Sequence, residues 1–298
     1  PVFVIVCIKN SKEQIYSKLK EFGMTMFNDF VPYTEFDEDS IDSEQLKYVK
    51  AEKYIEQRRK KRKIAAFYGT CHMAVYKDSL KRIKAFTDEY VILDLPLISE
   101  TEAGGYPFLK EKWIWEKCNL VVANQIFAIN SYGVWDTQKV LDMAVNAKKI
   151  IITNAYFEGY FPQWCASRNP EFRQIFAWED KNINRMIEQA YSDNEIIARL
   201  KDKDFYKEDE ITQYFEKNLN VLKKQEQLCD IKMCDYVSLN KNRRILFRSW
   251  THPTDDFFVE LIRRLLNELK IKGEPEVYIK LNVHEQIIYP SVIKALNI

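Results

Sequence analysis

The stretch Ile64–Tyr76, IAAFYGTCHMAVY, decides the fold. Ile64–Tyr68 reads as a short buried strand and Gly69-Thr70 as a sharp turn. Cys71-His72 then opens a helix whose apolar positions, Met73, Tyr76, Leu80 and Ile83, recur at spacings of three and four. A cysteine between a strand end and a helix start lies where backbone N–H groups are unpaired and the helix dipole is positive. Both effects favour thiolate over thiol. The same N–H groups suit a developing oxyanion. This is the arrangement of a nucleophile elbow. The competing reading is a structural thiol, because free cysteines are among the most buried residue types.

Downstream, short apolar runs alternate with helical patterns. Val91–Leu93 reads as a second buried strand, with Asp94 at its end and Pro96 closing it. Residues 99–118 carry Gly104-Gly105 and Pro107, then Trp113 and Trp115, and read as a loop followed by a short helix. Leu120–Ala123 is a third strand ending in Asn124-Gln125. A loop with Tyr132 and Gly133 leads to a helix over Val134–Ala147, and Lys149–Thr153 is a fourth strand. The alternation predicts a mostly parallel sheet covered by helices on both faces, a three-layer α/β fold of Rossmann-like type. Ligands of such sheets bind beyond the C-terminal strand ends. Cys71, Asp94, Asn124 and Gln125 all fall on that edge.

Residues 165–235 are predicted to be a helical insertion, with helices over Asn182–Ser192, Glu195–Lys201 and Glu208–Leu222. Arg244–Ser249 reads as another strand. It leads to His252 in a loop before a helix with Thr254 as N-cap and Asp255 and Asp256 in its first turn. Upstream, residues 1–40 read as a small β-α-β appendage, with a strand over Val2–Cys7, a helix over Ser11–Glu21 and an extended stretch over Phe30–Tyr33. Residues 41–63 read as a polar linker helix ending in the basic run RRKKRK at 58–63, and 64–298 as the catalytic domain. The start at Pro1 rather than Met leads to the expectation of a missing N-terminal domain of the same protein.

The totals narrow the function classes. Lysine plus arginine number 45 against 44 acidic residues, so no global pull towards nucleic acid follows. Six dispersed cysteines without a Cys-x-x-Cys, and three histidines, argue against a structural metal site, and no metal is expected. Reduced thiols, no signal peptide and no apolar run of membrane-span length point to a cytoplasmic protein.

Cys71 and His252 form the natural nucleophile–base pair, with Asp255, Asp256 or Asp94 as the acid orienting the imidazole. His72 adjoins the cysteine, and its ring is expected to point away. Thr70, the backbone at Cys71-His72, and the amide of Asn124 or Gln125 are candidates for the oxyanion hole. Arg248 suits a phosphate or carboxylate.

At these residues the chain resembles the WcbI-type polysaccharide biosynthesis enzymes, whose Gly-Asn-Cys-Gln signature reads Gly69-Thr70-Cys71-His72 here. The likeness extends to Asn124-Gln125, the Tyr132 loop, Phe161-Pro162, His252-Pro253-Thr254 and Tyr289-Pro290, and it covers roughly residues 62–298. The layout is also similar to SGNH-type esterases and acetyltransferases, with cysteine where those have serine. The resemblance implies a coenzyme A-dependent acetyltransferase acting on a sugar hydroxyl of a surface polysaccharide. Coenzyme A or acetyl-CoA is then a substrate, a sugar or glycan the acceptor, and Thr70, His72, Arg248 and Tyr132 contacts for the cofactor. The alternatives are an ester or thioester hydrolase, or a non-catalytic glycan-binding or nucleotide-binding module.

Overall fold

The computed structural model describes residues 4–6, 18, 21, 30–32, 39–42, 55–56, 58–95, 97–98, 112–126, 137–167, 178–278 and 285–298. The chain divides into two compact units, Pro1–Ile152 with Leu265–Ile279 and Thr153–Arg264 with Lys280–Ile298.

In the first unit, β1 (Val4–Val6) and β2 (Phe30–Pro32) pair in parallel, as a β-α-β unit requires. Of the helix expected over 11–21 only residues 18 and 21 are described, and both are helical. The main sheet has five strands: β3 (Ser40–Asp42), β4 (Lys63–Tyr68), β5 (Tyr90–Asp94), β6 (Leu120–Asn124) and β7 (Lys148–Ile152). Their order is β3-β5-β4-β6-β7 and every pairing is parallel. The helices between them are α1 (His72–Lys81), α2 (Lys84–Glu89), α3 (Lys112–Glu116) and α4 (Thr137–Met143).

The central strands are continuous apolar runs because both of their faces are covered. Ile64, Ala66 and Tyr68 of β4 share a buried cluster with Trp115 of α3 and Val140 and Leu141 of α4. Tyr68 meets Trp115 edge-on at 6.0 Å. The alternate residue Phe67 meets Phe86 of α2 at 6.4 Å between centroids, on the opposite face of the pleat. Each such buried side chain contributes about 1.5–3 kcal/mol of apolar burial. From β4 the chain crosses to β5 on one side, whereas from β6 it crosses to β7 on the other. The order therefore reverses between β4 and β6, which is where open α/β sheets bind ligands.

The structure changes the reading of residues 40–63. Ser40–Asp42, expected at the end of the appendage and the start of a linker, is an edge strand of the main sheet, in register with Ile92–Asp94. The basic run fastens that strand. Arg62 bonds Asp39 at 2.7 Å and the Thr87 carbonyl at 3.0 Å, Arg58 donates to the Ser40 carbonyl, and Lys63 pairs with Glu89.

The second unit carries two short antiparallel pairs, β8 (Trp164–Ala166) with β9 (Trp178–Asp180), and β10 (Phe247–Ser249) with β11 (His252–Pro253). Its helices are α5 (Lys181–Glu188), α6 (Asp193–Lys201), α7 (Glu208–Gln225), α8 (Cys234–Asn240) and α10 (Pro290–Leu296). The unit boundary falls inside α9 (Asp255–Leu269). Ile211, Phe215, Leu219 and Leu222 bury one stripe of α7. Phe215 packs on Phe157 and Tyr160 at 5.1 and 5.5 Å, and Phe157 packs on Phe247 at 5.2 Å. Glu226, buried, caps the start of α8 by accepting from the Met233 and Cys234 N–H groups at 2.6 and 3.0 Å. Among the described residues no helix is long and apolar enough to cross a membrane.

Candidate active site

On the first unit, the turn after β4 stands at the sheet's reversal point. The Asn124 side chain at the end of β6 reaches across to it and is fully buried. Its Oδ1 accepts from the backbone N–H and the hydroxyl of Thr70, each at 3.3 Å. Glycine at 69 is what permits this approach. A Cβ there would stand 2.5 Å from Asn124 Oδ1 and 2.8 Å from Met73 Cε. Thr137 fixes the same strand end by donating to the Asn124 carbonyl while accepting from the Ile126 N–H at 2.9 Å.

Cys71 is the residue that precedes α1, with φ −53° and ψ −24°, and is half-buried. Burial pushes its thiol above the ordinary 9.0, and the N–H groups of residues 71 and 72, bonded to the sulfur, pull it back only in part. The expected thiolate is thus corrected: loss of solvent outweighs the helix terminus. His72 is fully buried, and one of its ring nitrogens lies within 4.8 Å of the Cys71 sulfur. The expectation that this ring points away is corrected too, which makes His72 a second imidazole at the thiol. Asp94, at the end of β5, is held by Lys77 of α1, which also donates to the Leu95 carbonyl at 3.1 Å. Gln125 follows Asn124 at the same edge and is half-buried.

On the second unit, His252 lies in β11 itself, in an antiparallel pair rather than in a loop after a strand of the main sheet. Its Nδ1 faces the hydroxyls of Thr251 at 2.8 Å and Ser249 at 3.1 Å. Burial lowers its pKa below the ordinary 6.5, so the ring is neutral at pH 7. The acid expected to orient it is engaged elsewhere. Asp255 pairs with Arg248 at 3.0 Å and Asp256 with Arg244 at 2.8 Å. An arginine on β10 is a stronger partner for a first-turn carboxylate than a neutral imidazole. Between Ser249 and His252, Trp250 is pinned through its backbone, donating to Gln286 Oε1 at 2.9 Å and accepting from the Phe157 N–H at 2.8 Å. Its ring meets Tyr156 at 5.6 Å and Trp178 at 4.5 Å.

The first unit therefore gathers Thr70, Cys71, His72, Asn124 and Gln125 at one edge, and the second gathers His252 with Arg248 and Asp255 on one hairpin and the helix after it. Tyr132 and His284 lie outside the described residues. Sequence reasoning missed Ser249 and Thr251 as the partners of His252, although hydroxyls flanking a histidine by one and three positions were the available signal. It also missed Lys77 as the partner of Asp94.

A solved structure of WcbI is similar to this chain in fold. That protein is described as a polysaccharide biosynthesis enzyme and was solved as the native protein without a disulfide bond between coenzyme A and one of its cysteines. It matches with a TM-score of 0.64 and 16% identity over 79% of this chain and 80% of that one. No curated protein matches the chain. The family profile described as polysaccharide biosynthesis enzyme WcbI matches residues 65–274, from the second residue of the buried part of β4 to beyond α9. The chain belongs to the WcbI family of polysaccharide biosynthesis enzymes.

Proposed function

We propose that this protein transfers an acyl group, acetyl in the simplest case, from coenzyme A to a sugar hydroxyl during surface polysaccharide biosynthesis in the cytoplasm. The observation that carries the reading is the Cys71 thiol at the start of α1, bonded to the N–H groups of residues 71 and 72 at the reversal point of a parallel sheet. Coenzyme A is named together with a cysteine in the similar WcbI structure. The residues present suit such a substrate. N–H groups at a helix start meet a carbonyl oxygen or a phosphate, and Thr70 and His72 flank the thiol. Arg248 would meet a phosphate only in competition with Asp255. Tyr132 stays a proposed cofactor contact on the resemblance. The likeness to SGNH-type enzymes, with cysteine for serine, is part of this proposal and rests on the resemblance alone.

In this reading His252 is the base. Its neutral ring accepts the proton either of the acceptor hydroxyl, whose oxygen then attacks the acyl carbon, or of Cys71, whose sulfur first takes the acyl group as a thioester. The N–H groups of residues 71 and 72, with the Asn124 or Gln125 amide, hold the carbonyl oxygen as it gains negative charge. His252 then returns the proton to the departing thiolate. On the thioester route it next takes the proton of the acceptor hydroxyl, whose oxygen attacks the thioester carbon, and returns that proton to the Cys71 sulfur as the C–S bond breaks. Acetyl-CoA, when bound, would supply the activated acyl group as its thioester. The aromatic rings of Tyr156, Trp178 and Trp250, close in sequence to or packed beside the His252 hairpin, offer CH-binding faces for a sugar.

Mass spectrometry of reactions containing acetyl-CoA with and without a set of sugar acceptors tests the reading. An acetylated sugar formed in step with free coenzyme A supports transfer. Acetate released at the same rate with and without sugar replaces it with hydrolysis.

A further inference from the structure

We infer that a groove beside the first two turns of α7 binds a pyranose ring, as a saccharide subsite separate from Cys71; the inference rests on the sugar-acceptor reading above. On α7, Glu210, Gln213, Tyr214 and Lys217 recur at spacings that place them on one helix face, offset from the buried stripe of Ile211, Phe215 and Leu219. With Lys181 at the start of α5 and Tyr206 just before α7, they line a cavity of about 260 Å³. That volume lies just below the roughly 300–1,000 Å³ of pockets that take drug-sized ligands, which suits one ring rather than a whole coenzyme.

The chemistry of the lining selects the ligand. The side chains of Lys181, Glu210, Gln213 and Lys217 make no hydrogen bond or ion pair with other described residues. Two ammonium groups donate, a carboxylate accepts and an amide does both. A sugar ring displays hydroxyls that both donate and accept, and it offers CH faces to aromatic rings. A phosphate would gain the two ammonium groups but would face Glu210 and has no CH face for the two aromatic rings, so the mixed set fits a neutral polyol better. An apolar ligand would desolvate three charges without compensation.

The two rings are set in place. Tyr206 stacks on Tyr289 with 5.9 Å between centroids and accepts from Asn182 Nδ2 at 2.5 Å. Tyr214 donates to Glu158 Oε2 at 3.4 Å. Burial pushes both phenols up to about 12, so both rings stay protonated and uncharged at neutral pH. Phe215, in the buried stripe of α7, packs on Phe157, whose N–H bonds the Trp250 carbonyl. The groove and the His252 hairpin thus share one packed body. A site for one ring, apart from the hydroxyl that is modified, fits an oligosaccharide acceptor longer than a single residue.

Saturation-transfer-difference NMR with methyl α-D-glucopyranoside, methyl β-D-galactopyranoside and methyl β-D-glucuronide tests this without any coenzyme. Wild type and Cys71→Ala should transfer saturation to the ring protons of at least one glycoside. Tyr214→Ala and Lys217→Glu, with unchanged circular dichroism, should weaken that binding about tenfold. Inorganic phosphate should not compete. Equal signals in the groove variants, no signal with any glycoside, or displacement by phosphate would each overturn the subsite. Glycoside binding without acetyl transfer removes the acyltransferase reading and keeps the groove, whereas transfer without glycoside binding does the reverse.

Discussion

Replacing Gly69 by alanine places a methyl group against the Asn124 side chain that braces the turn after β4. The new Cβ would sit 2.5 Å from Asn124 Oδ1, about 0.9 Å inside the 3.4 Å at which ordinary contact begins. Met73 Cε, at 2.8 Å, is the free end of a flexible side chain and yields at little cost. Asn124 is fully buried and cannot yield in the same way. Moving its amide by that distance breaks both bonds from Thr70, which already stand at 3.3 Å. Overpacking of this kind costs about 1–3 kcal/mol, and the two long bonds add roughly 0.5 kcal/mol each. The entropy lost from the unfolded chain returns about 0.4–1 kcal/mol, leaving a net cost of about 2 kcal/mol. Urea unfolding of Gly69→Ala should show this as a lower midpoint with an unchanged slope. Asn124→Ala should cost about 1–3 kcal/mol by stranding the Thr70 N–H. Once the amide is gone the alanine at 69 has room, so in that background Gly69→Ala should cost less than about 0.5 kcal/mol. Equal costs in the two backgrounds would refute the claim that Gly69 exists to admit Asn124.

The remaining predictions concern the charged and titrating groups. Asp255→Asn should lower kcat by less than about fivefold, the rate equivalent of roughly 1 kcal/mol, because the carboxylate serves Arg248. Ser249→Ala combined with Thr251→Val should lower it by roughly 10–100-fold by releasing the ring of His252; the opposite ranking in steady-state kinetics would restore Asp255 as the orienting acid. A histidine whose folded pKa is depressed leaves the unfolded state binding more protons. Its stabilising contribution is therefore present above the ordinary 6.5 and is lost as pH falls from there towards the folded value. Activity should fall through the same lowered pKa as the base protonates, and a pH–rate profile whose acidic limb lies above 6.5 would contradict the burial of the ring. Lys77→Met should destabilise by about 1–2 kcal/mol in urea, less than a fully buried pair, since the Asp94 side chain is 40% exposed. No change in midpoint would show that the pair is idle.

The centre of the fold was legible because β4, β5 and β6 are unbroken apolar runs buried on both faces, and such runs leave few other readings. β3 was not. Ser-Ile-Asp has one apolar residue, and it pairs with β5 through backbone contacts that no periodicity announces. The edge location of Cys71, Asn124 and Gln125 followed from strand polarity alone. The contact between Gly69 and Asn124 spans more than fifty residues of chain and exists only once β4 and β6 are side by side. The protonation state of Cys71 was misread for a physical reason: the helix start was visible in the sequence, but the burial that opposes it was not. For His252, nearness in sequence suggested Asp255, whereas Arg248 on the neighbouring strand competes for that carboxylate and wins. The two-residue strand that carries His252 is too short to be read from pattern.

Calorimetric titration of coenzyme A and acetyl-CoA into wild type, Cys71→Ala and His252→Ala, each confirmed to be folded, with acetyl transfer measured on the same samples, tests the central claim most directly. The account predicts that all three proteins bind the coenzyme and that only wild type turns over. Wild-type turnover in both variants, or no binding of any acyl-CoA by wild type, would contradict it.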